Sequence, residues 1–239
     1  MIRKKPLVKL TTNTQKILSN FASINPGMVF EVGNVQHTIS PLNTIVCQTT
    51  LPEDFPQEFA IYDLDSFLKI YSKIPDAELE FTTDHCLIKN QTTDMKFYFA
   101  DPQMVVVPKK KPYDHPNPCL RFVVEDKIFS KIRSLTSISS FFKYLKIWSR
   151  EGNVVLSLTN KESKERATNE YSEIVGPIGE NDLKDFEFYI QMETLKVLDG
   201  DYEFVVTKIE RNGTPVNVLR LVNTTYNVKY WTSLEVLDS

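Results

Sequence analysis

Apolar residues recur every three or four positions in two related stretches of this chain. The stretches are KILSNFASI (residues 16–24) and KIFSKIRSL (residues 127–135), which are offset by 127 − 16 = 111 positions. This spacing predicts a helix with one buried face in each stretch. A helix repeated at one offset indicates an internal duplication. The predicted buried residues are Ile17, Phe21 and Ile24 in the first copy and Ile128, Ile132 and Leu135 in the second.

A second pair of related stretches begins with acidic or amide residues. YDLDSFLKI (residues 62–70) aligns with IQMETLKVL (residues 190–198), and each follows a strand-like run. Asp63 and Asp65 could be a metal or acid/base pair, or they could begin a helix. The second copy has Gln191 and Glu193 at these positions, which favours an N-cap at Asp63 and a first-turn acid at Asp65. The predicted buried face is Leu64, Phe67, Leu68 and Tyr71.

Strand patterns fill most of the remaining sequence. Apolar and polar residues alternate in residues 143–160 on both sides of Glu151 and Gly152, and in residues 201–223 on both sides of Asn212 and Gly213. This pattern predicts two hairpins. With helices predicted at 11–24, 63–74, 125–138 and 191–198, each half contains two helices and several strands. We therefore predict an α+β fold of two similar domains, each with two helices on one face of an antiparallel sheet.

Five of the thirteen prolines lie in residues 101–119, DPQMVVVPKKKPYDHPNPC. So many prolines exclude a helix or a central strand and predict an extended connector. The predicted boundaries are a first domain at 1–101, a connector at 102–118 and a second domain at 119–239.

Composition indicates a soluble globular protein. Of the 239 residues, 41% are hydrophobic and 25% are charged, and the formal net charge is −3. The sequence has no apolar run long enough to predict a membrane span and no apolar leader near its start, so we expect a cytosolic protein. Cys47, Cys86 and Cys119 are far apart in the sequence and predict free thiols. We expect no bound metal and no cofactor.

Acidic and basic residues are segregated along the predicted helices. The acids lie in the first turns, and the bodies carry lysine, arginine and asparagine. Complementarity with the helix dipole explains the position of the acids. A second explanation is that the solvent faces of the helices contact a polyanion. In the first and third helices these faces are Lys16, Asn20 and Ser23, and Lys127, Lys131 and Ser134.

Several segments, taken in order, resemble the DNA sliding clamps of T-even-like bacteriophages, which have a PCNA-like fold. They are LVKLTTNTQKILSNFASINPGM, FAIYDLDSFLKIYS, FYFADPQMVVVPKKKP and REGNVVLSLTNKES. The resemblance implies a closed homotrimeric ring with its sheets outside and its helices lining the hole. It further implies double-stranded DNA, a DNA polymerase and a clamp loader as partners, with no membrane partner. The implied protein is a non-enzymatic processivity factor and docking platform that acts in the host cytoplasm.

The resemblance also assigns residues to three surfaces. The implied DNA-facing residues are Lys16, Asn20, Lys69, Lys73, Lys127, Lys131, Arg133 and Lys196. The implied subunit interface joins the edge strand at 93–100 to an edge near 169–175, through Met95, Phe97, Phe99, Tyr171 and Ile174. The implied pocket for partner peptides consists of Ile39, Val105, Val106, Val107, Pro108, Pro215, Trp231 and Leu234. For the valines and for Trp231, packing within the chain is the alternative interpretation.

Three other functions compete with this one. An enzyme such as a nuclease or glycosyltransferase would use Asp63 and Asp65. A single-stranded nucleic-acid-binding protein would stack bases on Trp148 and Trp231. A phage structural protein would need neither site.

Overall fold

The computed structural model describes residues 7–160 and 169–236. The chain divides into two compact units, Met1–Pro112 and Tyr113–Ser239. The division lies inside the proline-rich segment. No helix in the described part of the chain is long and apolar enough to cross a membrane.

The first unit contains a four-stranded antiparallel sheet and two smaller strand pairs. The strand order in the sheet is β1-β6-β7-β8, while β2 pairs with β5 and β3 pairs with β4. The strands are β1 (Leu7–Val8), β2 (Met28–Phe30), β3 (Gly33–Ile39), β4 (Ile45–Phe55), β5 (Phe59–Ile61), β6 (Glu78–Phe81), β7 (His85–Lys89) and β8 (Asp94–Tyr98).

Two helices, α1 (Thr12–Ile24) and α2 (Leu64–Lys73), pack against each other in this unit. Every residue predicted to form their buried faces is buried. Each helix begins at a side-chain cap, because Thr11 accepts a hydrogen bond from the Thr14 amide and Asp63 accepts one from the Ser66 amide. Both predicted helices of the first half are therefore confirmed.

The second unit is built from two sheets with strand orders β12-β11-β10-β13 and β16-β15-β14-β9. Both predicted hairpins are present: β10 pairs with β11 and β14 pairs with β15. Their turns use positive φ at Glu151, Gly152, Asn212 and Gly213, as tight hairpins require. The strands are β9 (Leu120–Val124), β10 (Tyr144–Arg150), β11 (Asn153–Thr159), β12 (Tyr171–Pro177), β13 (Glu187–Gln191), β14 (Tyr202–Arg211), β15 (Thr214–Asn223) and β16 (Val228–Leu234).

The helix α3 (Asp126–Ile138) lies where the repeat predicts it, with its buried face slightly rotated. Phe129 and Ile132 are fully buried, whereas Ile128 and Leu135 are partly exposed. The Phe129 ring packs edge-on against Tyr202 and Phe204, and it aligns with Leu18 of α1, which is also buried (18 + 111 = 129).

The predicted fourth helix at 191–198 is wrong. Residues Met192–Thr194 form one 3-10 turn, and residues 195–198 are irregular. Eleven positions separate Gln191 from Tyr202 (202 − 191 = 11), against sixteen between Asp63 and Leu79 (79 − 63 = 16). The shorter connection has too few residues for a ten-residue helix and the return to the sheet. The described part of the second unit thus contains one α-helix, not the two predicted.

Candidate functional site

The α1 and α2 helices present the predicted basic residues on their solvent side. Lys16, Lys69 and Lys73 are exposed and Asn20 is half-buried. Lys69 pairs with Asp65 across one helical turn but keeps 74% of its side chain exposed. Such exposed pairs are weak and are easily exchanged for contacts with another anion. These positions suit sequence-independent contact with phosphates.

On α3, the predicted DNA-facing residues Lys127 and Lys131 are exposed but have acidic neighbours. Lys127 Nζ lies 2.5 Å from Glu125, and Lys131 Nζ lies 3.1 Å from Glu173. Lys131 also lies 5.1 Å from the centre of the Tyr171 ring. The contacts with Tyr171 and Glu173 raise the pKa of Lys131. Lys131 therefore contacts β12, one of the predicted interface strands.

Arg133 does not have the free, exposed side chain that the prediction assigns to it. Its Nη1 donates to the Val197 carbonyl at 2.9 Å, its Nη2 pairs with Asp199, and the guanidinium lies 5.4 Å from the Phe129 ring centre. The side chain is 24% exposed. We therefore correct its role: Arg133 fastens residues 197–199 to α3. Lys196 is exposed on the irregular segment rather than on a helix.

Asp63 and Asp65 have the geometry of a helix start. The Ser66 amide donates to Asp63 at 2.9 Å and the Ser66 hydroxyl at 2.7 Å, and these bonds hold the pKa of Asp63 below its ordinary value. Asp65 faces Lys69. No group of three or more His, Cys, Asp or Glu side chains that could hold a metal occurs within residues 7–160 and 169–236. The capping bonds of Asp63 and the pairing of Asp65 with Lys69 explain both carboxylates as parts of the start of α2.

The β8 strand is an edge of its sheet and has unpaired backbone groups. Its only neighbour among the described residues is β7. The Phe99 amide donates to the Asp84 carbonyl, and the Asn90 amide donates to the Thr93 carbonyl, each at 2.9 Å. Hydrogen-bonded pairs alternate along an antiparallel ladder, so the amides of odd-numbered residues face β7. The amides of Lys96 and Tyr98 therefore face away from the sheet.

The predicted interface residues of β8 differ in what their side chains contact. Met95 is 37% exposed. The Phe97 ring lies 5.1 Å from that of Phe67, and the Phe99 ring lies 5.0 Å from that of Phe59. Phe97 and Phe99 thus pack on their own unit, which leaves the backbone as the available pairing surface.

In the second unit, β12 is an edge of its sheet among the described residues. Ile174 is 54% exposed, and Tyr171 is half-buried with its hydroxyl bonded to Glu173. The ladder between β12 and β11 shifts register at Val154 and Val155, which marks a bulge. Each unit therefore carries one edge strand at a position that the resemblance assigned to subunit contact.

The pocket residues of the first unit fall into two groups. Ile39 and Val105 are buried. Val105 packs closely against Gly27, because a Cβ atom built on Gly27 would lie 3.1 Å from Val105 Cγ2. Val106 and Val107 are 43% and 47% exposed, and the Val106 carbonyl accepts a hydrogen bond from Asn25 at 2.9 Å. Pro108 is half-buried. Packing within the chain is thus correct for Val105 but not for its two neighbours.

In the second unit, Trp231 and Leu234 lie on opposite faces of β16. Leu234 shares the face of Tyr230 and Thr232, which joins the core, whereas Trp231 pairs across the ladder with Arg220 on the other face. Side chains three positions apart in a strand project to opposite sides. The prediction that these two residues line the same pocket is therefore wrong for Leu234. Pro215 is exposed at the start of β15.

Trp148 is not an open stacking platform. Its Nε1 donates to the Ser157 hydroxyl at 2.8 Å. Lys146 Nζ and the Arg150 guanidinium lie 4.6 Å and 5.4 Å from its ring centre. These two cations flank the ring that a base would have to stack on.

Asp114, Arg220 and Lys229 form a cluster of charges that the sequence does not predict. Asp114 lies in the proline-rich segment and contacts both cations of the β15 and β16 strands. More than a hundred positions separate Asp114 from Arg220, so no local spacing could reveal the pairing.

Comparisons with known proteins identify this architecture. The family model described as DNA polymerase processivity factor matches residues 9–107. The chain is 30% identical to the sliding clamp of Enterobacteria phage T4 over 205 residues, which cover 83% of this chain and 87% of that protein. It is 27% identical to the sliding clamp of Vibrio phage KVP40 over 203 residues, which cover 82% and 89%.

Solved structures show the same fold at low identity. A structure of A. fulgidus PCNA bound to the C-terminal region of FEN-1 matches with a TM-score of 0.65 at 12% identity, covering 98% of this chain and 99% of that one. A Helicobacter pylori β clamp bound to a DNA ligase peptide matches with a TM-score of 0.59 at 14% identity, covering 98% and 67%. Together with the sequence relatives, these matches show that the chain belongs to the sliding-clamp family of DNA polymerase processivity factors.

Proposed function

We propose that three copies of this sliding clamp close head to tail into a ring, with β8 of one copy pairing with β12 of the next. Duplex DNA passes through the ring, and the ring tethers the DNA polymerase without catalysing a reaction. A clamp loader opens and closes the ring on DNA. The protein acts in the cytoplasm of the host cell.

The observation that carries this proposal is the pair of edge strands, one in each unit. Two different edges on one chain make a heterologous contact, which generates a ring when the rotation closes. The outward amides of Lys96 and Tyr98 are donors that an added strand would satisfy. An edge left unpaired would be prone to aggregation, so a built-in partner strand also protects the protein.

The charge distribution supports passage of DNA through the ring. The chain has a net charge of −3, yet the DNA-facing positions that we propose on α1, α2 and α3 are all lysine except Asn20. Exposed lysines attract phosphates without reading bases, so such a surface binds DNA weakly and leaves it free to slide. The residues that we propose for this contact are Lys16, Asn20, Lys69, Lys73, Lys127, Lys131 and Lys196.

We further propose that polymerase and other replication factors dock on the clamp through short peptides. The structures of a PCNA with a FEN-1 segment and of a β clamp with a ligase peptide support this mode for the fold. In this chain the proposed peptide contacts are Val106 and Val107 in the first unit and Trp231 in the second.

The native mass of the protein tests the ring. At micromolar concentration, light scattering after size exclusion is expected to give a single species of three times the 27.6 kDa chain mass. A closed ring gains a third interface without losing further translational freedom, so trimers should dominate over dimers. A species of one or two chains that persists at tens of micromolar would contradict the proposed assembly.

A further inference from the structure

Residues 113–115 of the proline-rich segment lie against one face of the sheet formed by β16, β15, β14 and β9. Phe204, Leu221 and Tyr230 form the core side of this sheet. Arg220 and Trp231, directly paired across the ladder, project from the opposite side. Trp231 is nevertheless only 7% exposed. A large aromatic side chain on the non-core face must be covered by other residues.

Asp114 is held by two cations on this face. Its carboxylate lies 2.6 Å from Arg220 Nη1 and 2.8 Å from Lys229 Nζ. The side chains of Arg220 and Lys229 are 14% and 31% exposed, so the pairs are partly shielded from water. Partial burial alone would raise the pKa of Asp114, but the hydrogen bonds from Lys229 and Arg220 hold it below its ordinary value. The carboxylate therefore stays charged at neutral pH.

His115 follows Asp114 and shares a small cavity with Trp231. The cavity has a volume of about 10 Å³ and is lined by His115, Val205, Thr207, Val218, Arg220 and Trp231. This space holds no more than about one water molecule. Trp231 Nε1 and Arg220 Nε are buried and have no hydrogen-bond partner within residues 7–160 and 169–236. The two residues that carry these buried donors thus line the cavity together with His115.

We propose that residues 113–115 are an internal ligand that covers Trp231, and that a partner peptide binds there by displacing them, with an acidic side chain replacing Asp114 between Arg220 and Lys229. The inference rests on the peptide docking proposed above and concerns its regulation. We call the Asp114 contact with Arg220 and Lys229 the latch.

The requirement for an acidic residue follows from the cost of leaving the cations unpaired. When one member of a partly buried ion pair departs, the remaining charge lacks compensation, and this cost exceeds that of losing an exposed pair. A peptide with a carboxylate restores the pairing, whereas a neutral peptide does not. The unpaired N–H groups of Trp231 and Arg220 could also donate to a backbone carbonyl of the peptide.

The test compares binding of the phage DNA polymerase to the intact clamp and to two variants. Asp114→Asn removes the internal carboxylate and frees both cations, so polymerase is expected to bind about threefold to tenfold tighter, because the open state is more populated. Lys229→Gln weakens the latch but also removes a cation that the incoming acid needs, so binding is expected to weaken. Asp185→Asn, at an exposed aspartate of the same unit, is the matched control and should leave the Kd unchanged.

A fluorescence measurement checks the latch independently of any partner. In a Trp148→Phe background, Trp231 is the single tryptophan of the chain. Acrylamide quenching of Trp231 is expected to increase when Asp114→Asn is added, because the ion pairs that hold residues 113–115 against this face are lost.

The outcomes separate this inference from the proposed function. If the unmodified trimer does not bind polymerase at all, peptide docking itself fails. If it binds and Asp114→Asn neither tightens binding nor raises quenching, the latch is wrong. If Lys229→Gln tightens binding as Asp114→Asn does, residues 113–115 do cover Trp231. The proposal that an acidic side chain of the peptide replaces Asp114 would then be wrong.

Discussion

Lys96→Pro is expected to break the ring while leaving the chain folded. The Lys96 amide faces away from β7, so proline removes no hydrogen bond within its own sheet. The substitution does remove a hydrogen-bond donor from the proposed contact with β12. It also places the pyrrolidine ring of proline where the partner strand must approach. One lost hydrogen bond costs about 0.5–1.5 kcal/mol, and each closed trimer contains the change three times. We expect the dissociation constant of each contact to rise by about twofold to tenfold, and all three contacts of the ring are weakened together.

Lys96→Ala is the control because it removes the same charge and keeps the amide. Its native mass should remain that of the trimer, whereas the proline variant should shift towards single chains at the same concentration. Thermal unfolding of both variants shows whether the first unit is intact. If the proline variant unfolds normally and remains trimeric, β8 is not the contact strand.

Removing several helix lysines together is expected to impair loading onto DNA far more than any single change. Lys16, Lys69, Lys73 and Lys127 are exposed on α1, α2 and α3. Each phosphate contact contributes roughly 0.9 to the slope of log affinity against log salt, so four lost contacts cost on the order of tenfold or more at physiological salt. Changing all four to alanine should therefore reduce the loaded fraction strongly, while each single change stays within about twofold.

Arg133→Ala is the contrasting variant for this experiment. Because Arg133 bonds to Val197 and Asp199, its loss should lower the unfolding temperature of the protein and leave the salt slope of loading unchanged. The measurement is loader-dependent retention on primed circles over a series of salt concentrations. An unchanged salt slope in the fourfold variant would show that these lysines do not face the DNA.

Much of the fold could be predicted from the sequence because its local signals agree with the tertiary structure. The buried faces of α1 and α2 follow a helical period, and both hairpins carry turn residues that adopt positive φ. The prediction of a fourth helix was wrong because it followed the apolar positions aligned with the first half. The connection in the second half is shorter and leaves no room for a helix. Loop length, not apolar pattern, decided the structure between Gln191 and Tyr202.

The site was predicted less completely, because its contacts join distant residues. Lysine positions on a helix follow from periodicity, but whether Arg133 is free depends on Asp199, which lies on another segment. Trp231 is one apolar position among many in β16, and its place on the non-core face emerges only from the register with Arg220. The pairing of Asp114 with Arg220 and Lys229 likewise depends on where residues 113–115 lie against the sheet.

Retention on DNA of defined topology tests the central claim most directly. The clamp is loaded onto a nicked circle, free protein is removed, and the circle is then cut once with a restriction enzyme. A ring that encircles the duplex should remain on the intact circle and leave the linear DNA through its ends, at the same salt concentration. Equal retention on circular and linear DNA would contradict the account, because it would mean that contacts with the DNA, not closure around it, hold the protein.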